Sequence, residues 1–130
     1  MAIIIVAIIF VGFSGDESVT ISSSGGSSPI YKGSNGVSIM INVYENTEIV
    51  NKMIDLFVKN QVTATFFVGG CWADDNIDTV KRVIELGFEL GNHGYFHKDH
   101  KKLSEDGNYN EIKTCNDLVF KNTAYQMKLF

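Results

Sequence analysis

The sequence has no basic cluster of the kind that follows nucleic acid, only two cysteines, and no apolar run long enough to cross a bilayer. Each shortage excludes something. The net charge is −4, and Lys98, Lys101 and Lys102 make one small patch without interleaved aromatics. That is the pattern of a solvated loop, so no nucleic-acid partner is expected. Cys71 and Cys115 are far apart in the chain. They form neither a zinc ribbon nor a redox pair; two separate buried thiols are expected, with a disulfide left open. The apolar run over residues 1–13, MAIIIVAIIFVGF, carries no charge. It falls short of the roughly 20 residues of a membrane span and matches a secretory core of about 7–15 residues. A positive stretch before it and an A-x-A cleavage site after it are both lacking, and a buried element of the core is the alternative.

The adjoining tract decides for targeting or anchoring. Residues 14–35 are rich in serine and glycine. Such composition buries too little apolar surface to offset its ordering entropy, so it reads as a flexible linker. The expected layout is a signal or membrane anchor at 1–13, a linker at 14–35 and one domain at 36–130, with an exported, membrane-anchored or cell-wall location.

From Gly36 the pattern becomes regular. Residues 37–43, VSIMINV, predict a strand. Asn46 or Thr47 can cap a helix that carries Glu48 in its first turn, with Ile49, Met53, Ile54, Phe57 and Val58 at helical spacing. Residues 62–68, VTATFFV, predict a second strand ending at Gly69 and Gly70. A second helix starts at Asp74 or Asp75, turns Ile77, Val80, Val83 and Ile84 inward, and stops at Gly87. Residues 88–90 predict a short third strand, with a loop after it through Ser104. A third helix is expected from about Tyr109 to Phe120, with Ile112 and Leu118 inward. Residues 128–130 read as the start of a fourth strand. Strand and helix alternate across short loops, which predicts α/β architecture with parallel strands. Ligands then sit at the carboxyl ends of the strands, near Asn42, Trp72 and His93.

All three histidines fall between His93 and His100. The spacing His93-Gly-Tyr-Phe-His97 lets two imidazoles face one metal ion if the segment turns. In zinc proteases of similar spacing a glutamate comes directly after the first histidine; here that residue is Gly94, which excludes the protease reading.

The stretch Gly91-Asn-His-Gly-Tyr-Phe-His97, with Leu103-Ser104 beyond it, resembles the second motif of the NodB-type polysaccharide deacetylases (carbohydrate esterase family 4), G-N-H-[ST]-x-x-H and then L-S. Residues 62–68 resemble that family's V-K-A-T-F-F-V strand, and residues 85–93 its approach to the histidines. The resemblance runs from about Gly36 to Phe130. It implies a distorted (β/α) barrel, of which these residues make an incomplete part. It also implies metal-dependent hydrolysis of N-acetyl groups on cell-wall glycans such as peptidoglycan, with a divalent metal, zinc first among them. One aspartate and two histidines hold that metal, which activates water and polarises the acetamide carbonyl. A second aspartate is the general base, and a distant C-terminal histidine the general acid.

His93 and His97 carry over as metal ligands. The first motif, T-F-D-D-G-P, aligns with residues 40–45. The base position is then Asn42, which has no titratable carboxylate, and the metal-binding aspartate position is Val43. Glu45 is the nearest carboxylate and otherwise reads as a loop residue before a helix start. Asp99 and His100 read as loop surface, with His100 a possible replacement ligand. Trp72 and Tyr95 are candidates for stacking on a sugar ring. The family's R-P-P-x-G and L-x-H segments are not found in these residues. The sequence therefore leaves three expectations: a deacetylase of N-acetylated glycans, a non-catalytic relative that binds glycan or metal, or an inactive fragment.

Overall fold

A computed structural model of the protein describes residues 36–130, so the expected leader and linker lie outside the described residues. Three short strands pair in parallel in the order β1 (Met40–Val43), β2 (Thr65–Val68), β3 (Glu89–Asn92). Helix α1 (Thr47–Asn60) makes the first crossover. Helices α2 (Gly70–Asp75) and α3 (Ile77–Glu85) make the second, and α4 (Glu105–Thr123) comes after β3. A single 3-10 turn, His100–Lys102, precedes α4.

The register sets Ile41, Phe66 and Leu90 side by side, and Val43, Val68 and Asn92 in the next such row. Strand alternation sends both rows to one face. There Val43, Phe66, Val68 and Leu90 join Val50 and Ile54 of α1, Val80 and Val83 of α3, and Cys115 and Val119 of α4 in one buried cluster. Phe66 meets Phe88 edge-on at 5.4 Å and Phe57 at 6.3 Å. Burying a side chain of this size contributes about 1.5–3 kcal/mol. The other face carries Met40, Asn42, Thr65, Phe67, Glu89 and Gly91. Met40 and Asn42 are exposed there, and the Phe67 ring lies across Gly91, where a Cβ would stand 2.5 Å from Phe67 Cδ1.

Several boundaries differ from the sequence pattern, each for a physical reason. Pairing in β1 starts at Met40 rather than at residue 37, and Val37 is exposed. In α1 the buried stripe is Val50, Ile54 and half-buried Phe57. Ile49 and Val58 flank it and stay exposed, because a surface helix buries only one stripe. The second helix begins at Gly70, well before Asp74, and breaks at Asn76. Its free first-turn donors have distant partners: the Gly70 amide donates to Gly94 O at 2.9 Å and the Cys71 amide to Tyr95 O at 3.0 Å. Asn76 turns the chain between α2 and α3, accepting from Thr47 Oγ1 at 2.7 Å and donating to Trp72 O. Strand β3 runs on to Asn92 instead of ending at residue 90.

Helix α4 is longer than the span 109–120. Ser104 caps it, its hydroxyl accepting from the Gly107 amide at 3.1 Å. The fully buried positions of α4 are Glu111, Cys115 and Val119, while Ile112 and Leu118 are only partly covered. Residues 128–130 form no strand; a single bond from the Asn92 amide to Leu129 O (2.8 Å) ties them to β3.

Candidate metal and glycan site at the strand ends

Parallel pairing brings the carboxyl ends of all three strands to one edge. The Gly69 amide donates to Val43 O at 2.8 Å and the His93 amide to Val68 O at 3.0 Å, which lock these ends together. The chain leaves β3 into the histidine loop, where Gly94 (φ +78) and His97 (φ +54) both take left-handed backbone. Gly94 has a second constraint. A Cβ there would stand 3.3 Å from His100 Nε2 and 3.4 Å from Glu111 Oε2.

Two buried side chains clamp this loop to the fold. Asn92 accepts from the Gly94 amide at 2.7 Å, and its amide group donates to Ile112 O at 2.7 Å and to Asn116 Oδ1 at 2.9 Å. Glu111 accepts from the Phe96 amide through Oε2 at 2.7 Å and lies 3.5 Å from Lys98 Nζ through Oε1. His100 bonds Asn108 through Nδ1 and sits edge-on to Phe130. Its Nδ1 is thereby taken up by Asn108.

The structure brings His93 and His97 together, with ring centroids 4.8 Å apart and planes inclined by 40°. Tyr44, just beyond β1, stacks on His97 at 4.3 Å and 15°, and stands 6.1 Å from His93 at 27°. His93 Nε2 is buried and has no hydrogen-bond partner. Burial, then the neighbouring His97 and His100, hold the His93 pKa below its ordinary value. A neutral imidazole with an unclaimed nitrogen is the state that donates to a cation. The two imidazoles therefore fit a divalent metal as donors. Among the described residues, no three His, Cys, Asp or Glu side chains converge on one point. Val43 is buried in the core, and Asn42 is exposed at the end of β1.

The two candidate sugar platforms lie elsewhere. Trp72 is buried, its indole N–H donating to Thr47 Oγ1 at 3.1 Å, so its ring is core packing and not a rim surface. Tyr95 is half-buried against α2, its ring filling the space where a Gly70 side chain would stand. The exposed aromatic of the loop is Phe96, with Lys98 Nζ 4.7 Å from its ring centre. Glu45 is exposed and joins no cluster of ligands. The sequence pattern missed Tyr44 and Glu111. Tyr44 comes directly after Asn42 and Val43, which was the available signal; Glu111 resembles any polar helix residue.

The profile of the polysaccharide deacetylases matches residues 33–130. The chain belongs to that family. It is 34% identical over 105 residues to the uncharacterized protein YlxY of Bacillus subtilis, covering 78% of this chain and 33% of YlxY. It is 35% identical over 89 residues to the peptidoglycan-N-acetylmuramic acid deacetylase PdaA of the same organism, covering 68% of this chain and 34% of PdaA. Among solved structures it resembles a CE4 family pseudoenzyme from Bacillus anthracis, with TM-score 0.67 and 28% identity over 70% of this chain and 32% of that one. This polysaccharide deacetylase domain thus spans about a third of the length of those relatives. Its three parallel strands and four helices are the corresponding part of the NodB-type barrel.

Proposed function

We propose that this domain acts on N-acetylated cell-wall glycan of the peptidoglycan type, with a divalent metal, zinc by ligand class, held between His93 and His97. The observation that carries the reading is the imidazole pair at the strand ends, 4.8 Å apart, with His93 Nε2 buried and unpartnered. The substrate class comes from the family and from the peptidoglycan deacetylase PdaA among its relatives. A metal bound there supplies Lewis-acid polarisation of the acetamide carbonyl and an activated water. The chain's own residues hold the two imidazoles in place. Asn92 and Glu111 fix the loop, and burial keeps His93 neutral. Asn42 stands at the base position, where a carboxamide can bond an acetamide but cannot take its proton. The apolar stretch 1–13 and the serine- and glycine-rich tract 14–35 support export with a tether to the membrane or cell wall.

A second reading, binding of glycan or metal without hydrolysis, is favoured by one observation: among the described residues no carboxylate joins the two histidines. Acetate release from N-acetylglucosamine oligomers and peptidoglycan by the zinc-loaded full chain separates the two. Release above a zinc-only control, lost in His93→Ala, establishes hydrolysis. No release, with glycan retained in a pull-down, establishes the binding reading. Under that outcome Asn42→Asp restores the base position, a group that contributes about 10²–10⁴-fold where positioned.

A further inference from the structure

Buried polar atoms without a partner are rare in folded proteins, because each costs the desolvation of a group that water would have bonded. His93 Nε2 is the one such side-chain atom among the described residues. The aromatic rings beside the His93 ring are His97, with centroids 4.8 Å apart, and Tyr44, with centroids 6.1 Å apart. Tyr44 also lies nearly parallel to His97, at 4.3 Å and 15°. A cation shared by the two imidazoles must reach a ring nitrogen of each from one space, and His93 Nε2 is buried. Of these two neighbouring rings, Tyr44 belongs to a different part of the chain. It sits between β1 and α1, is 48% exposed, and lies two residues before Asn46, which takes left-handed backbone (φ 59).

We propose that Tyr44 is an aromatic cap over the histidine pair, covering His93 Nε2 and limiting what reaches it. The inference rests on the metal reading above for the identity of the incoming group, a divalent cation. The stacking favours the capped arrangement, so the cation binds in competition with it.

The test uses the full chain, with Tyr44→Ala and Tyr44→Phe. The first measurement needs no metal: the rate at which diethylpyrocarbonate modifies His93, read by peptide mass mapping. The second is zinc affinity by titration calorimetry. Tyr44→Ala is expected to raise the His93 modification rate and to tighten zinc binding by about 2- to 12-fold, the range of one stacked aromatic pair. Tyr44→Phe keeps the ring and is expected to match the wild type in both. Equal His93 rates in wild type and Tyr44→Ala overturn the cap, whatever zinc does. A faster rate with unchanged or weaker zinc binding overturns its control of cation access. A faster rate with no zinc bound by any variant upholds the cap and overturns the metal reading instead. Circular dichroism melts check folding; should Tyr44→Ala not fold, Tyr44→Leu keeps apolar bulk without a planar ring and is read the same way.

Discussion

Replacing Glu111 by alanine removes the acceptor on α4 that fixes the backbone between the two site histidines. The carboxylate is buried, with Oε2 2.7 Å from the Phe96 amide and Oε1 3.5 Å from Lys98 Nζ. A hydrogen bond to a charged group contributes about 1.5–3 kcal/mol, and its loss leaves an amide facing a void. The Lys98 pair adds little. Its ammonium is 52% exposed and screened by water, and such pairs are worth about 0–1 kcal/mol. Glu111→Ala should therefore cost about 2–3 kcal/mol and Lys98→Ala under about 1 kcal/mol. Glu111→Gln keeps an oxygen for the Phe96 amide and should fall between, near about 1 kcal/mol. For a domain of this size each kcal/mol moves Tm by roughly 4–8 °C. Urea denaturation of the full chain and the three variants at pH 7 measures the series. Glu111→Ala within about 0.5 kcal/mol of wild type would refute the clamp. So would Glu111→Gln costing as much as Glu111→Ala, because the acceptor would then not be what matters.

Gly91→Ala should lower stability by about 1–3 kcal/mol through overpacking, since its Cβ would stand 2.5 Å from Phe67 Cδ1 and 2.6 Å from Cε1; a thermal melt indistinguishable from wild type would contradict the packing described. Of the two thiols, exposed Cys71 should react with Ellman's reagent in the native chain, and Cys115 only after denaturation. Burial pushes the Cys115 thiol up to about 12 from its ordinary 9.0. In the unfolded chain that thiol ionises first, so its contribution is complete below pH 9 and is lost as pH rises from about 9 towards 12. Stability curves of wild type and Cys115→Ala that fall in parallel over that range would count against it.

The parallel βα order and the histidine pair were legible because periodicity and motif spacing are local. Elements went astray where distant partners decide. Helix α2 starts at Gly70 because its first amides bond the carbonyls of Gly94 and Tyr95, which no window around Gly70 contains. Trp72 looked like a rim aromatic after a strand, yet Thr47 takes its indole N–H and the ring closes into the core. Glu111 has the sequence signature of a solvated helix residue. It is buried because the loop presents an unpaired amide at Phe96 to that turn of α4. Tyr44 escaped notice because the motif directs attention to Asn42 and Val43. Alternation then turns Val43 into the core, and it is the next side chain that meets the imidazoles.

The clamps on the histidine loop also tie its shape to the docking of α4. Asn92 reaches α4 across 20 and 24 residues of chain, and the Phe96 amide reaches Glu111 across 15. With α4 undocked, the loop keeps its bonds to α2 but loses those to Ile112, Asn116 and Glu111. The shape of the site thus depends on the docking of α4 as well as on the pairing of the strands. Amide exchange at Gly94 and Phe96 should then report the undocking of α4 and not the global unfolding of the sheet. A chain caught with its sheet formed and α4 loose would pass as folded by its strands while the backbone between its two histidines lacked its acceptor on Glu111.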